Sequence, residues 1–179
     1  MAARARGADG FGLVELVISM TMLNIGILAI VAAFNSGALA LKRAGEVSTA
    51  AVVGDKQMEL YRALKYTEIA LDANEVTAAN AEAVYQCDPA NMIDPAGACG
   101  GANQSVAITK SCATMTPQCD PRQTVTGPDQ RPYLLDTYIV SQVPATGRAV
   151  KLVTIVVRKP GDARALARVA STFDESSGL

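Results

Sequence analysis

Histidine and tryptophan are absent from the 179 residues, and phenylalanine occurs three times. Without histidine there is no Ser-His-Asp or Cys-His catalytic arrangement and no histidine-ligated metal. Charge is scarce too, at 18% of residues against a usual share of about 25%. The net charge of −1 lacks the basic excess of a general nucleic-acid binder. No C-x-x-C pair and no Gly-rich phosphate loop occurs, and no cluster of carboxylates stands out, so neither an enzyme active site nor a cofactor is expected. No proline precedes Pro89, so nothing in the first half of the chain forces a helix to break. Hydrophobic residues make up 50% but aromatics only 4%. The apolar content is therefore small and aliphatic, and it excludes a fully disordered or collagen-like chain.

That apolar content is concentrated near the N-terminus. The 19 residues 16–34 carry no charge. As a helix they span roughly 28 Å, close to the hydrocarbon thickness of a bilayer. Ser19, Thr21 and Asn24, the polar members, can bond back to the helix backbone or to a neighbouring helix. Arg4 and Arg6 precede the run, so a signal anchor and a cleaved secretory signal ending near Ala38-Leu39-Ala40 both fit. A buried core helix fits less well. The leader arginines place the C-terminal part on the trans side of the membrane.

Glu15 sits awkwardly in either signal reading. It lies inside the apolar stretch, after Phe11, Leu13 and Val14, where a charge costs up to about 2.5–3.5 kcal/mol at a helix centre. No cationic side chain stands within one helical turn after it. Either it snorkels to the head groups or it has a partner.

The segment Gly10-Phe11-Gly12-Leu13-Val14-Glu15-Leu16 resembles the class III signal of type IV prepilins and pseudopilins. The resemblance implies cleavage by a prepilin peptidase after Gly10 and a new, commonly methylated N-terminus at Phe11. It implies that Glu15 serves assembly, pairing with the new α-amine on its own or an adjacent chain. Many members of the family carry a proline about twenty residues after the cut; this chain has Ile30-Val31-Ala32-Ala33 there, with Gly26 and Gly37 as the nearest weak points. The implied partners are other pilin subunits, the peptidase, the inner-membrane assembly machinery of a pilus or secretion system, and the lipid bilayer. The implied location is the cytoplasmic membrane as a single-pass precursor, then an extracellular pilus or periplasmic pseudopilus. More loosely, the later chain is similar to the minor-pilin branch. The rival reading is a membrane-anchored extracellular binding module that never assembles.

Beyond Phe34 the chain stays helix-friendly. Val47, Ala51, Gly54, Met58 and Tyr61 recur at 4-3-4-3 spacing, Leu60 and Leu64 widen the stripe, and Asp55, Glu59 and Arg62 lie opposite. That pattern predicts an amphipathic helix packed on the chain's own sheet, ending near Lys65. Cys87, Cys99, Cys112 and Cys119 are even in number on the trans side, which predicts two disulfides. Three pairings are possible; near neighbours, Cys87 with Cys99 and Cys112 with Cys119, are favoured because turn-rich sequence separates them. Asp88, Asp94 and Asp120 could donate oxygen to calcium, but no ligand loop spacing is present and turn formation explains them better.

Residues 133–143 and 149–157 read as a β-hairpin broken by Pro144-Ala145-Thr146-Gly147. Residues 166–173 fit a helix or a strand by periodicity; the tight turn at Pro160-Gly161-Asp162 and the family resemblance favour a third strand. The expected architecture is α+β, a long N-terminal helix with a small antiparallel sheet packed on its second half. Its parts are a leader at 1–10, a membrane half of the helix at 11–36 and an amphipathic half at 37–65. A disulfide-containing, loop-rich segment at 66–132 and the sheet at 133–179 follow. No catalytic residue and no metal ligand is assigned.

Overall fold

The computed structural model describes residues 12–91, 99, 107–142 and 148–175. Helix α1, Leu13–Arg62, is the longest element. Its first part belongs to one compact unit ending at Ala44, and the second unit begins at Gly45. Helix α1 runs unbroken through Gly26 and Gly37, so the missing proline is matched by an intact backbone ladder.

The second unit is α+β. After α1 come a 3₁₀ turn at Tyr66–Glu68, strand β1 at Leu71–Asp72, and two short helices, α2 at Ala73–Ala79 and α3 at Ala83–Gln86. Strand β2 at Thr109–Lys110 pairs with β1 in parallel. Strands β3 at Arg122–Thr126, β4 at Pro132–Gln142, β5 at Val150–Arg158 and β6 at Ala165–Phe173 form one sheet in the order β3-β4-β5-β6. Every neighbouring pair in it is antiparallel.

Residues 46–62 of α1 cover one face of this sheet. The core there contains Ala50, Val53, Met58 and Tyr61 from the helix and Leu135, Ile139, Val153, Ile155 and Val157 from the sheet. Alternation along each strand sends these odd-numbered β4 and β5 residues to the helix. The even-numbered Tyr138 and Val156 point to the other face, where Tyr85 and Ala79 cover them. Gly54 lets the helix approach closely. A Cβ there would sit 3.0 Å from a Val169 methyl and 3.3 Å from a Val157 methyl.

The buried helix face keeps Gly54, Met58 and Tyr61 of the expected stripe but is rotated away from Val47. It consists of Glu46, Ala50, Val53, Gly54, Gln57, Met58 and Tyr61, while Val47 is 46% exposed. The rotation arises because the sheet and its loops supply polar partners to Glu46 and Gln57, which no apolar count can register. Asp55, Glu59 and Arg62 are exposed as expected. The helix stops at Arg62 rather than Lys65. Its last turn tightens, with Leu64 N–H donating to the Tyr61 carbonyl. Lys151, 8% exposed, then fastens the chain by donating to the Tyr66 and Ile69 carbonyls at 2.6 and 2.9 Å.

The sheet begins at Arg122, earlier than the expected 133, because β3 is a fourth strand. Its sequence Arg-Gln-Thr-Val-Thr has one apolar residue, Val125, which suits a partly exposed edge but gives no hydrophobic run. A turn at Gly127-Pro128-Asp129-Gln130 joins it to β4, with Gln130 at φ 60° and Gln130 N–H donating to the Gly127 carbonyl. Gly127 has no substitute there, since a Cβ would lie 2.7 Å from the Tyr133 ring. Residues 66–132 are thus not simply loop; they also hold β1, α2, α3 and β2. The third predicted strand is β6, and the helical alternative for it is excluded.

Candidate assembly segment and the head that follows it

The apolar half of α1 is solvent-facing along its whole length. Leu13 is 81% exposed and Phe34 76%. It is the one helix among the described residues long and apolar enough to cross a membrane, judged by length and composition. The three polar residues of the uncharged run bond back to the helix. Ser19 Oγ donates to the Glu15 carbonyl at 2.7 Å, Thr21 Oγ1 to Ile18 at 2.8 Å, and Asn24 Nδ2 to Met20 at 2.9 Å. Turning these three groups toward their own backbone lowers the cost of placing them in hydrocarbon.

Glu15 is different. It lies in the first turn of α1, and its backbone N–H donates to the Gly12 carbonyl at 3.0 Å. Its carboxylate has no ion-pair partner among the described residues. A carboxylate in a helix's first turn is favoured by the dipole by about 0.3–1 kcal/mol, less than the cost of placing it in hydrocarbon. Gly10 and Phe11, assigned from the resemblance to cleavage and methylation, lie outside the described residues.

The four cysteines are bonded as Cys87 to Cys99 and Cys112 to Cys119. The second bridge is tied to α2 through Asp72. That carboxylate caps the helix by accepting from Asn74 and Glu75 N–H, and its other oxygen accepts from Cys112 N–H at 3.0 Å. The Cys112 bond is the largest of the effects that hold the Asp72 carboxyl below its usual range.

A charge network beneath α3 escaped the sequence reading. Arg158, 1% exposed, ion-pairs with both Asp88 and Asp136 and donates from Nε to the Ala163 carbonyl. Arg168 completes the site, its two terminal nitrogens each 2.7 Å from an Asp88 oxygen. Arg122 Nε lies 3.5 Å from Asp136 Oδ1, a charge contact rather than a hydrogen bond. Burial opposes ionisation of Asp88, yet the Arg168 bonds, the Ala90 amide and the Arg158 charge outweigh it and hold this carboxyl low. Burial pushes the Asp136 carboxyl up, against Arg158 and Arg122. Asp88 therefore anchors the Cys87 segment to the sheet through two guanidinium groups and is not available to calcium. Asp120 serves its own turn, accepting from Arg122 N–H at 2.9 Å. Asp94 lies outside the described residues. The signal that was available was a charged residue within the apolar run of β4, Asp136, and one closing the apolar run of β5, Arg158.

Another buried carboxylate, Glu46, faces two turns of the sheet. It accepts from Arg131 beside the β3–β4 turn at 2.7 Å and from Lys159 after β5 at 2.6 Å. Between α1 and β3 lies an open apolar groove of about 400 Å³, with Val52, Lys56, Leu60, Pro117, Gln123 and Val125 among its lining residues. It contains no cluster of polar groups that converges on a reacting atom. The chain matches no family model, and no curated protein or solved structure shows significant similarity to it.

Proposed function

We propose that this chain is a type IV pilin-like structural subunit, made as a precursor and built into a pilus or a secretion pseudopilus through its N-terminal helix. The observation that carries the reading is the fixed order of Gly10, Phe11 and Glu15 ahead of an uncharged helical run. Cleavage after Gly10 creates an α-amine on Phe11 that is cationic at neutral pH. That amine is the complementary charge Glu15 lacks. Within packed helices the pair removes two costly charges at once and fixes the axial offset between neighbouring subunits. The exposed apolar face, with Ser19, Thr21 and Asn24 bonded to their own backbone, suits burial first in lipid and then among like helices. The head's closed charge network and two disulfides suit a subunit that must hold its shape outside the cell.

Glu15→Ala tests this. The single subunit should enter the membrane at least as well, since a desolvation cost is gone. Its level in sheared filaments should fall at least tenfold relative to its level in membranes, because the amine is then unpaired among packed helices. Glu15→Gln should show a milder defect. Equal incorporation of the Ala variant and wild type would leave Glu15 as a snorkelling side chain and favour the non-assembling anchored module.

A further inference from the structure

Among the described residues the four-stranded sheet ends in two edge strands with no further strand beside them, β3 and β6. An edge strand presents unpaired backbone N–H and C=O groups, and natural proteins blunt such edges with proline, charge or a covering element. Strand β6 has nine residues, no proline and one charged side chain, Arg168. That guanidinium is held by the chain's own Asp88, so nothing along the strand repels an incoming backbone. Strand β3 is shorter, and its edge borders the apolar groove under α1.

The strand count decides which edges can meet. Each neighbouring pair is antiparallel, so in a sheet of four the two edge strands run in opposite directions. A second copy placed alongside in the same orientation then offers its β6 antiparallel to β3 of the first. With an odd count the like-oriented neighbour would meet in parallel, which is less stable per residue and slanted in its bonding. The charges agree with this register. Lys56 is the one charged residue lining the groove, and β6 continues into Asp174-Glu175. Antiparallel addition brings that acidic end to the start of β3, where Gln123 lines the groove with Lys56.

We propose that β6 of one copy adds to the open edge of β3 in the next, with the acidic end of the added strand directed toward Lys56, so that a second copy of this chain occupies the groove's open side. The contact is head-to-tail, the kind that propagates into an open helical assembly rather than closing as a dimer. It rests on the filament reading above, and it leaves the 46–62 portions of α1 pointing the same way in every copy.

Thr124 and Ala170 are exposed, at the middle of β3 and β6, and on the sheet face away from α1. The test is Thr124→Cys with Ala170→Cys in the full chain, expressed in the native host. Purified filaments are treated with a bismaleimide that spans opposed and diagonal cross-strand pairs, about 5–8 Å. No cysteine of the wild-type chain is free, so only the introduced thiols react. The expected result is a ladder of dimers, trimers and longer species from the double variant and monomer from each single variant. Thr124→Cys with Thr172→Cys covers the adjacent register and should give the same ladder if the first pair hinders assembly. Filaments without a ladder from either pair overturn the inference and leave the filament reading standing. Dimers from Ala170→Cys alone overturn it in favour of a β6–β6 contact. Absence of wild-type filaments overturns the filament reading and this contact with it.

Discussion

Replacing Arg158 by methionine removes the one guanidinium that two buried carboxylates share. Asp88 and Asp136 are both almost wholly covered, and Arg158 ion-pairs with each. After the change Asp88 keeps Arg168, which is partly exposed, while Asp136 keeps only the longer contact to Arg122. Breaking a buried pair by removing one partner costs about 3–5 kcal/mol, because a charge is left uncompensated. Methionine fills much of the volume, so little of that loss comes from a cavity. The expected destabilisation is therefore about 3–4 kcal/mol near pH 7, read from urea unfolding of the full chain in detergent by near-ultraviolet circular dichroism. The pH dependence provides an internal check. Without Arg158 burial pushes the Asp136 carboxyl further above its unfolded value, so the variant gains stability as pH falls toward the unfolded value of about 4. The difference from wild type should shrink over that interval. A loss below about 1 kcal/mol, or a difference that ignores pH, would refute the claim that this guanidinium holds the Cys87 segment to the sheet.

Thiol counting on denatured, unreduced protein should find no free thiol, and reducing either bridge should cost about 2–3 kcal/mol, given the short loops they close. Four titratable thiols would refute it. Spectrophotometric titration should show tyrosinate forming late. Burial raises the phenols of Tyr61, Tyr85 and Tyr138, and burial with the Asp129 hydrogen bond raises Tyr133 to about 12. Folded pKa values above the unfolded value of about 10 favour the neutral phenols, so stability holds below that pH and is lost as pH rises through the folded values. Five tyrosines ionising together near pH 10 would contradict the buried environments described.

The long helix and the β4 and β5 strands could be read from the sequence because each carries a sustained apolar pattern, whereas β6 fitted a helix or a strand by periodicity and was decided by the turn before it and the family resemblance. Strand β3 could not, since an edge strand needs only one buried side, and here that side is largely Val125 and Gln123. Helices α2 and α3 are short enough that their stability comes from tertiary contacts and the Asp72 cap rather than propensity. The rotated face of α1 was hidden for a related reason. Glu46 and Gln57 are buried because Arg131, Lys159 and the Pro117 carbonyl meet them, and these partners lie 60 or more residues away. The Asp88–Arg158–Asp136 network was hidden likewise, since Asp-Pro at 88–89 reads locally as a turn. The residues proposed for processing and assembly stand apart from all of this. Gly10, Phe11 and Glu15 carry their meaning through order and spacing, and Glu15 gains significance from having no charged partner among the described residues.

The most direct test of the central claim is the N-terminal peptide of the protein recovered from sheared surface filaments or pseudopili of its native host. Mass spectrometry should find a chain that starts at Phe11, with ten of the 179 residues removed and 169 remaining. A terminus near Ala40, or a retained leader beginning at Met1, would contradict it.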